Sequence, residues 1–284
     1  LLIAVREAAR KFGTDLSSFK QAFFISDNIH APCCNRPGSF GVSMSLTYLG
    51  HSAVRLSLGA LNIYIDPYLR DPVDWTKLPK GDLVLLTHGH FDHGVLMSPK
   101  LYGSWKCKFA GPRALMQWMT RKYRKVIPAE AFMPLDVGES LVFEGTKILA
   151  TPAHHPINRL GKTIFHVFAR SSAPGKPVVG FYIDGFFHSG DTIYTSSIAE
   201  SLKGLPVHTA CIPVGGKYAV AGPTEALRIA EEIGAEKLVP LHWQPLVEQV
   251  PFRYQSSDLV KVARAKKSSV KVCALAIGEL LQTP

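Results

Sequence analysis

No apolar run in this chain approaches the roughly 18 residues that a membrane-crossing helix needs, which argues against a helical integral membrane protein. The apolar opening Leu1–Val5 is too short for a signal-peptide core. The cysteines, Cys33, Cys34, Cys107, Cys211 and Cys273, are odd in number and show no Cys-x-x-Cys spacing. That pattern excludes a disulfide framework and a thiolate metal site, and reads as reduced thiols of a cytoplasmic protein. No Gly-x-Ser-x-Gly elbow signals a serine nucleophile, and no short fixed period signals a solenoid. The net charge is +10, yet no block of five like charges occurs. The densest basic stretches, Arg121–Lys125 and Lys261–Lys267, are short enough to be solvated helix faces, so DNA is not an expected partner.

What is present is a globular composition. With 46% apolar and 19% charged residues in 284, the chain has material for a substantial core and is not a disordered sequence. Residues 1–43 read as an extension: a helix over 1–12, stopped by Gly13, and then an irregular segment rich in Cys, Pro and Gly. From residue 44 to 284 the pattern is that of one domain. Strands are expected at Leu46–Leu49, Ala53–Leu58 and Leu61–Ile65, then at 82–86, followed by a helix from about Pro112 to Lys125. The second half repeats this theme. Strands are expected at Ser140–Phe143, Lys147–Thr151, Thr163–Arg170, Val178–Ile183, Phe186–His188 and Leu238–Leu241. A helix capped by Thr224 and stopped by Gly234 lies among them. The implied architecture is two layers of sheet covered by helices.

Chemistry concentrates where strands run out. After the apolar run Asp82–Leu86 come His88, His90, Asp92 and His93 within six residues. Imidazole nitrogen and carboxylate oxygen are the donors that borderline metals such as zinc prefer. Gly89 and Gly94 leave room for the backbone to turn, so near neighbours can converge on one point. Asp66 ends the strand at 61–65, while His154-His155, His188 to Asp191, and His242 each follow a strand, beside Gly or Pro. Taken singly, His188 or His242 also suits a satisfied core histidine, and Asp191 a turn residue. Together with the first cluster they point to a metal centre.

In that order, Asp66, then His88-x-His90-x-Asp92-His93, then His155, Asp191 and His242, the chain resembles the metallo-β-lactamase superfamily over about residues 45–280. Tyr48–Ser52, Ile65–Tyr68, Pro152–His155, His188–Thr192 and Pro240–Trp243 are similar to the branch of L-ascorbate-6-phosphate lactonase and N-acylphosphatidylethanolamine phospholipase D. The resemblance implies an α/β, four-layer αββα sandwich with two divalent metal ions, zinc first, with manganese or iron admitted by the same donors. His88 and His90 with His155 would hold one ion, His154 being the fallback. Asp92, His93 and His242 would hold the second, with Asp191 between them. Asp66 would orient a ligand, and His51 would either touch substrate or ligand or serve packing. The implied reaction is hydrolysis of a small ester, lactone or phosphorylated metabolite by a metal-bound hydroxide that Asp92 aligns. Arg159, Lys162 and Lys217 would suit an anionic substrate. The alternatives are a phosphodiesterase acting on phospholipid or RNA, or a non-catalytic metal-binding regulatory protein. Oligomeric state is left open.

Overall fold

A computed structural model describes residues 44–70, 72–156, 173–217, 220–244 and 252–283. The helix expected over 1–12, the strand expected over 163–170, and Arg159 and Lys162 lie outside these residues.

Among the described residues two sheets form, and they are built alike. The first runs β14(Leu280–Thr283)-β1(Met44–Gly50)-β2(Ala53–Leu58)-β3(Leu61–Ile65)-β4(Leu83–Leu85)-β5(Lys108–Gly111)-β6(Phe132–Pro134). The second runs β13(Lys271–Val272)-β12(Lys237–Leu241)-β11(Thr209–Pro213)-β10(Phe186–His188)-β9(Val179–Ile183)-β8(Thr146–Pro152)-β7(Ser140–Phe143). In each, an antiparallel meander passes into a parallel set. β1, β2 and β3 pair antiparallel, then β3 to β6 pair parallel. β7 to β10 pair antiparallel, then β10 to β13 parallel.

The side-chain period of a strand explains the layering. In β4, Leu83 and Leu85 face the other sheet, where they join Leu56, Ile63, Ile148, Phe181, Phe186 and Val239. Val84 faces outward and packs with Leu101, Leu115 and Met119. These come from α1(Ser98–Trp105) and α2(Arg113–Tyr123). The second sheet does the same: Phe186 points inward, while Phe187 meets Ile198, Leu227 and Leu259 from α3(Ser196–Ser201), α4(Pro223–Glu232) and α5(Ser256–Ala265). A strand buried on both faces must be apolar throughout, which is why β4 reads as a continuous hydrophobic run. The four layers are therefore helix, sheet, sheet, helix, as expected.

One boundary differs. Thr224 is not the cap of α4. The helix starts at Pro223, whose missing N–H suits the first helical position. Gly222 is the cap, its N–H donating to Glu225 Oε2 at 3.2 Å. Gly234 does stop the helix, at φ +67.

Candidate metal centre

The topology fixes where the polar residues go. β1, β3, β4 and β5 share one direction in the first sheet, and β8, β10, β11 and β12 share one in the second. Ligand sites of α/β sheets lie beyond the carboxyl ends of such strands. His51 follows β1, Asp66 follows β3, and the segment 87–93 follows β4. His155, Asp191 and His242 follow β8, β10 and β12.

The structure brings these residues into two touching groups. His88, His90, His155 and Asp191 place donor atoms within 4.8 Å of one another, and so do His51, Asp92, His93 and His242. Asp191 stands between them. Its Oδ2 lies 3.9 Å from His88 Nε2 and 3.7 Å from His155 Nε2 on one side, and 3.3 Å from His93 Nε2 and 3.4 Å from His242 Nε2 on the other. Of the adjacent histidines, His154 is exposed and His155 is buried in the first group. His188 does not join. Its ring is satisfied, Nδ1 accepting from the Gly190 N–H at 3.1 Å and Nε2 lying 3.0 Å from the Ser52 carbonyl.

Around the donors is a layer of residues that sets their orientation. Asp66 Oδ1 accepts from the Thr87 N–H at 2.8 Å. Asp66 Oδ2 accepts from the Thr87 hydroxyl at 2.7 Å and meets His93 Nδ1 at 2.7 Å. A carboxylate so placed holds the proton on His93 Nδ1 and leaves Nε2 turned toward Asp191. The Thr87 hydroxyl has given its only hydrogen to Asp66. It therefore accepts from His88 Nδ1 at 2.9 Å, and His88 presents Nε2 as a lone pair. Thr87 was not singled out from the sequence; its one signal was a hydroxyl at a strand end beside a donor.

Backbone geometry is unusual here. His51, Asp66 and His242 all adopt left-handed φ, at 53°, 47° and 55°. Each such residue costs on the order of 1–3 kcal/mol and is retained where surrounding structure enforces it. The enforcing bonds include His242 N–H to the His51 carbonyl at 2.9 Å and His51 N–H to Gln244 Oε1 at 3.0 Å. The two glycines of the motif do different work. Gly94 turns the chain at φ +85, whereas at Gly89 a Cβ would lie 2.3 Å from the Pro174 carbonyl oxygen.

Burial holds His88 well below the usual 6.5, helped by the His93 and His90 rings. Burial also pushes His90, and together with His242 pushes His51, down to about 4. Burial opposes ionisation of Asp92 and Asp191. The bond from His51, and His93 and His242, outweigh it at Asp92; His242 and His93 outweigh it at Asp191, and both carboxyls lie well below the usual range. Burial lowers His93, but Asp191 and Asp66 outweigh it and raise the ring well above 6.5.

This set fits cations by a test internal to the structure. Asp92 Oδ1, Asp191 Oδ1, His93 Nε2 and both ring nitrogens of His242 are buried without a hydrogen-bond partner. Leaving such atoms unsatisfied costs about 1–3 kcal/mol each, more when charged. Borderline metals are what mixed imidazole and carboxylate donors satisfy.

A sandwich of this topology carrying two His/Asp groups at one strand-end edge defines a metallo-hydrolase type of site, and residues 61–243 match the family model described as the beta-lactamase superfamily domain. A UPF0173 metal-dependent hydrolase of Rubrobacter xylanophilus is 30% identical over 211 residues, covering 70% of this chain and 81% of that protein. One from Methanopyrus kandleri is 29% identical over 224 residues, 75% of this chain and 90% of its own. The chain belongs to the beta-lactamase superfamily and, within it, to the UPF0173 metal-dependent hydrolases. Igni18, a metallo hydrolase from Ignicoccus hospitalis, shares the fold with a TM-score of 0.65 at 22% identity, covering 84% of this chain and 98% of that one. YhfI from Bacillus subtilis does so at 0.63 and 16%, covering 84% and 99%.

Proposed function

We propose that the protein is a two-metal hydrolase of a small ester, lactone or phosphorylated metabolite, of the lactonase-like branch. The observation that supports it is Asp191 Oδ2, within 3.9 Å of ring nitrogens from both groups. His88, His90 and His155 would hold one ion and Asp92, His93 and His242 the other, with Asp191 within reach of both groups. When bound, two such cations supply Lewis-acid polarisation of the scissile group and lower the pKa of water.

The chain's own residues do the positioning. Asp66 and Thr87 hold the Nδ1 side of His93 and His88, so both rings turn Nε2 toward the centre. His51, neutral at working pH, donates from Nε2 to Asp92 Oδ2 at 3.3 Å. That leaves Asp92 Oδ1 to accept a hydrogen from the attacking water. Asp92 is thereby placed to align that water.

The test uses protein stripped by chelator and reloaded with zinc, manganese or iron. Turnover of 4-nitrophenyl acetate and dihydrocoumarin is expected to return with metal, and to fall by more than a hundredfold in Asp191→Ala. Activity that survives complete metal removal overturns the reading. Turnover of bis-4-nitrophenyl phosphate alone replaces it with the phosphodiesterase.

A further inference from the structure

His90 lies against a segment that leads into the second sheet. The backbone entering β9 is laid along the loop that carries His88 and His90, and is bonded to it at two points. The Val179 N–H donates to the Thr87 carbonyl at 3.0 Å, and the Gly89 N–H donates to the Pro174 carbonyl at 2.9 Å. Ala173, at the head of this segment, is buried in the apolar layer that also holds Leu86 and Val95. Between the two bonds, Gly175 faces the His90 ring. A Cβ built there would stand 2.6 Å from His90 Nε2 and 3.1 Å from Cδ2.

Glycine stands at 175 for space and not for conformation. Its φ is not left-handed, so the backbone there suits any L-residue. What a side chain would strike is the imidazole. The His90 ring is turned so that Nδ1 lies 2.7 Å from His88 Nε2. Nδ1 is therefore the atom that faces the centre, and Nε2 the atom that faces Gly175. Two further rings bound it, His88 edge-on with centroids 4.3 Å apart and His155 at 5.3 Å. Side chains rest in discrete staggered wells, so a ring pushed at Nε2 turns out of its well and carries Nδ1 away from His88. The two glycines of this contact differ in what they protect. At Gly89 a Cβ would meet the Pro174 carbonyl oxygen, which is backbone, whereas at Gly175 it would meet the far end of a side chain. A substitution at 175 therefore leaves the fold a way out, at the expense of the ring's aim.

We infer that Gly175 is a positioning residue: with no side chain against Nε2, His90 can present Nδ1 to the divalent cation that His88 and His155 share with it. The inference rests on the two-metal reading above. It makes the entry to β9 part of that ion's site and leaves the ion of Asp92, His93 and His242 independent of it.

The test is a titration of chelator-stripped protein with Co2+, followed by visible absorption and by competition against a fluorescent chelator. The wild type is expected to take up two ions, and His90→Ala marks which step belongs to the His88, His90 and His155 group. Gly175→Ala is expected to weaken that same step by about 10–100-fold, the scale on which residues that orient metal ligands act, and to leave the other step unchanged. In the His90→Ala background it is expected to change nothing further, because a residue that acts only through another has no effect once that one is removed. Metal-free Gly175→Ala is expected to melt with the wild type. An unchanged His90 step, an equal loss of both steps, or a further loss in the double variant overturns the positioning role while leaving the two-metal reading intact. A metal-free melting temperature that falls in both backgrounds also overturns it, since Gly175 would then serve the fold. A wild type that never takes up two ions sinks the two-metal reading itself, and the role of Gly175 with it.

Discussion

Asp66 serves three donors with two oxygens: the Thr87 N–H, the Thr87 hydroxyl and His93 Nδ1. It sits fully buried in a left-handed backbone conformation, so its position is costly and its role specific. In Asp66→Asn one oxygen becomes an NH2, which can accept nothing. Either His93 or Thr87 then faces a donor with a donor. Residues that orient metal ligands typically contribute 10–100-fold in metal affinity. Competition against a fluorescent chelator should show a loss of about that size in Asp66→Asn, with the fold kept. An unchanged affinity would show that His93 is held by other means. The thiols give a second prediction at this scale. Cys107 and Cys211 are free thiols, and they and Cys273 are buried. Burial pushes Cys107 up to about 12 and Cys211 well above its usual 9.0. A raised thiol pKa leaves almost no thiolate at pH 8, and the thiolate is the reactive form. Iodoacetamide should therefore leave Cys107 and Cys211 unmodified in the native protein and label them in urea, as read by peptide mass mapping. Native labelling of Cys211 would contradict its placement between the sheets.

Elements with a clean period were legible. β2 and β3 alternate, and both fall at Ala53–Leu58 and Leu61–Ile65 as expected. Leu115, Met116, Met119 and Tyr123 are all buried on one face of α2. Of the strands without a period, β4 and β12 were legible as apolar runs, and others were not. β5, Lys108–Gly111, and β11, Thr209–Pro213, are short and buried nearly throughout, so no alternation marks them. β14 follows a turn at the far end of the chain, and only its pairing with β1, Met44 opposite Thr283, makes it a strand. The same holds at the site. The donors announced themselves by residue type, whereas Gln244 and Thr87 are ordinary residues until folding sets them beside His51 and His88. The layering also predicts unequal tolerance along strands. Leu85 in β4 is fully buried between the sheets, while Val142 in β7 is 66% exposed. Leu85→Ala should destabilise by about 2–5 kcal/mol, and Val142→Ser by no more than about 0.5 kcal/mol, in urea titrations. Equal losses would mean that the inter-sheet face is not the core.

At the scale of the molecule, the candidate centre draws on both halves. His51, His88, His90, Asp92 and His93 follow strands of the first sheet, and His155, Asp191 and His242 follow strands of the second. Cations held there, as proposed, would cross-link the two sheets at one edge. Away from that edge the sheets pack through apolar side chains, Leu46, Leu56, Phe181 and Phe186 among others. Removing metal should therefore loosen one edge without dissolving the fold. A ligand present at a thousand times its dissociation constant stabilises by about 4 kcal/mol. For a domain of this size that corresponds to roughly 10 °C in melting temperature. Stripped protein should melt about that much lower and recover on reloading. Its near-ultraviolet dichroism should persist, and hydrogen exchange should rise around residues 87–93 and 188–192 while β2 and β9 stay protected. Collapse of the tertiary signal on chelation would show that the cations hold the sheets together throughout, and no change in melting would show that they do not bridge them at all.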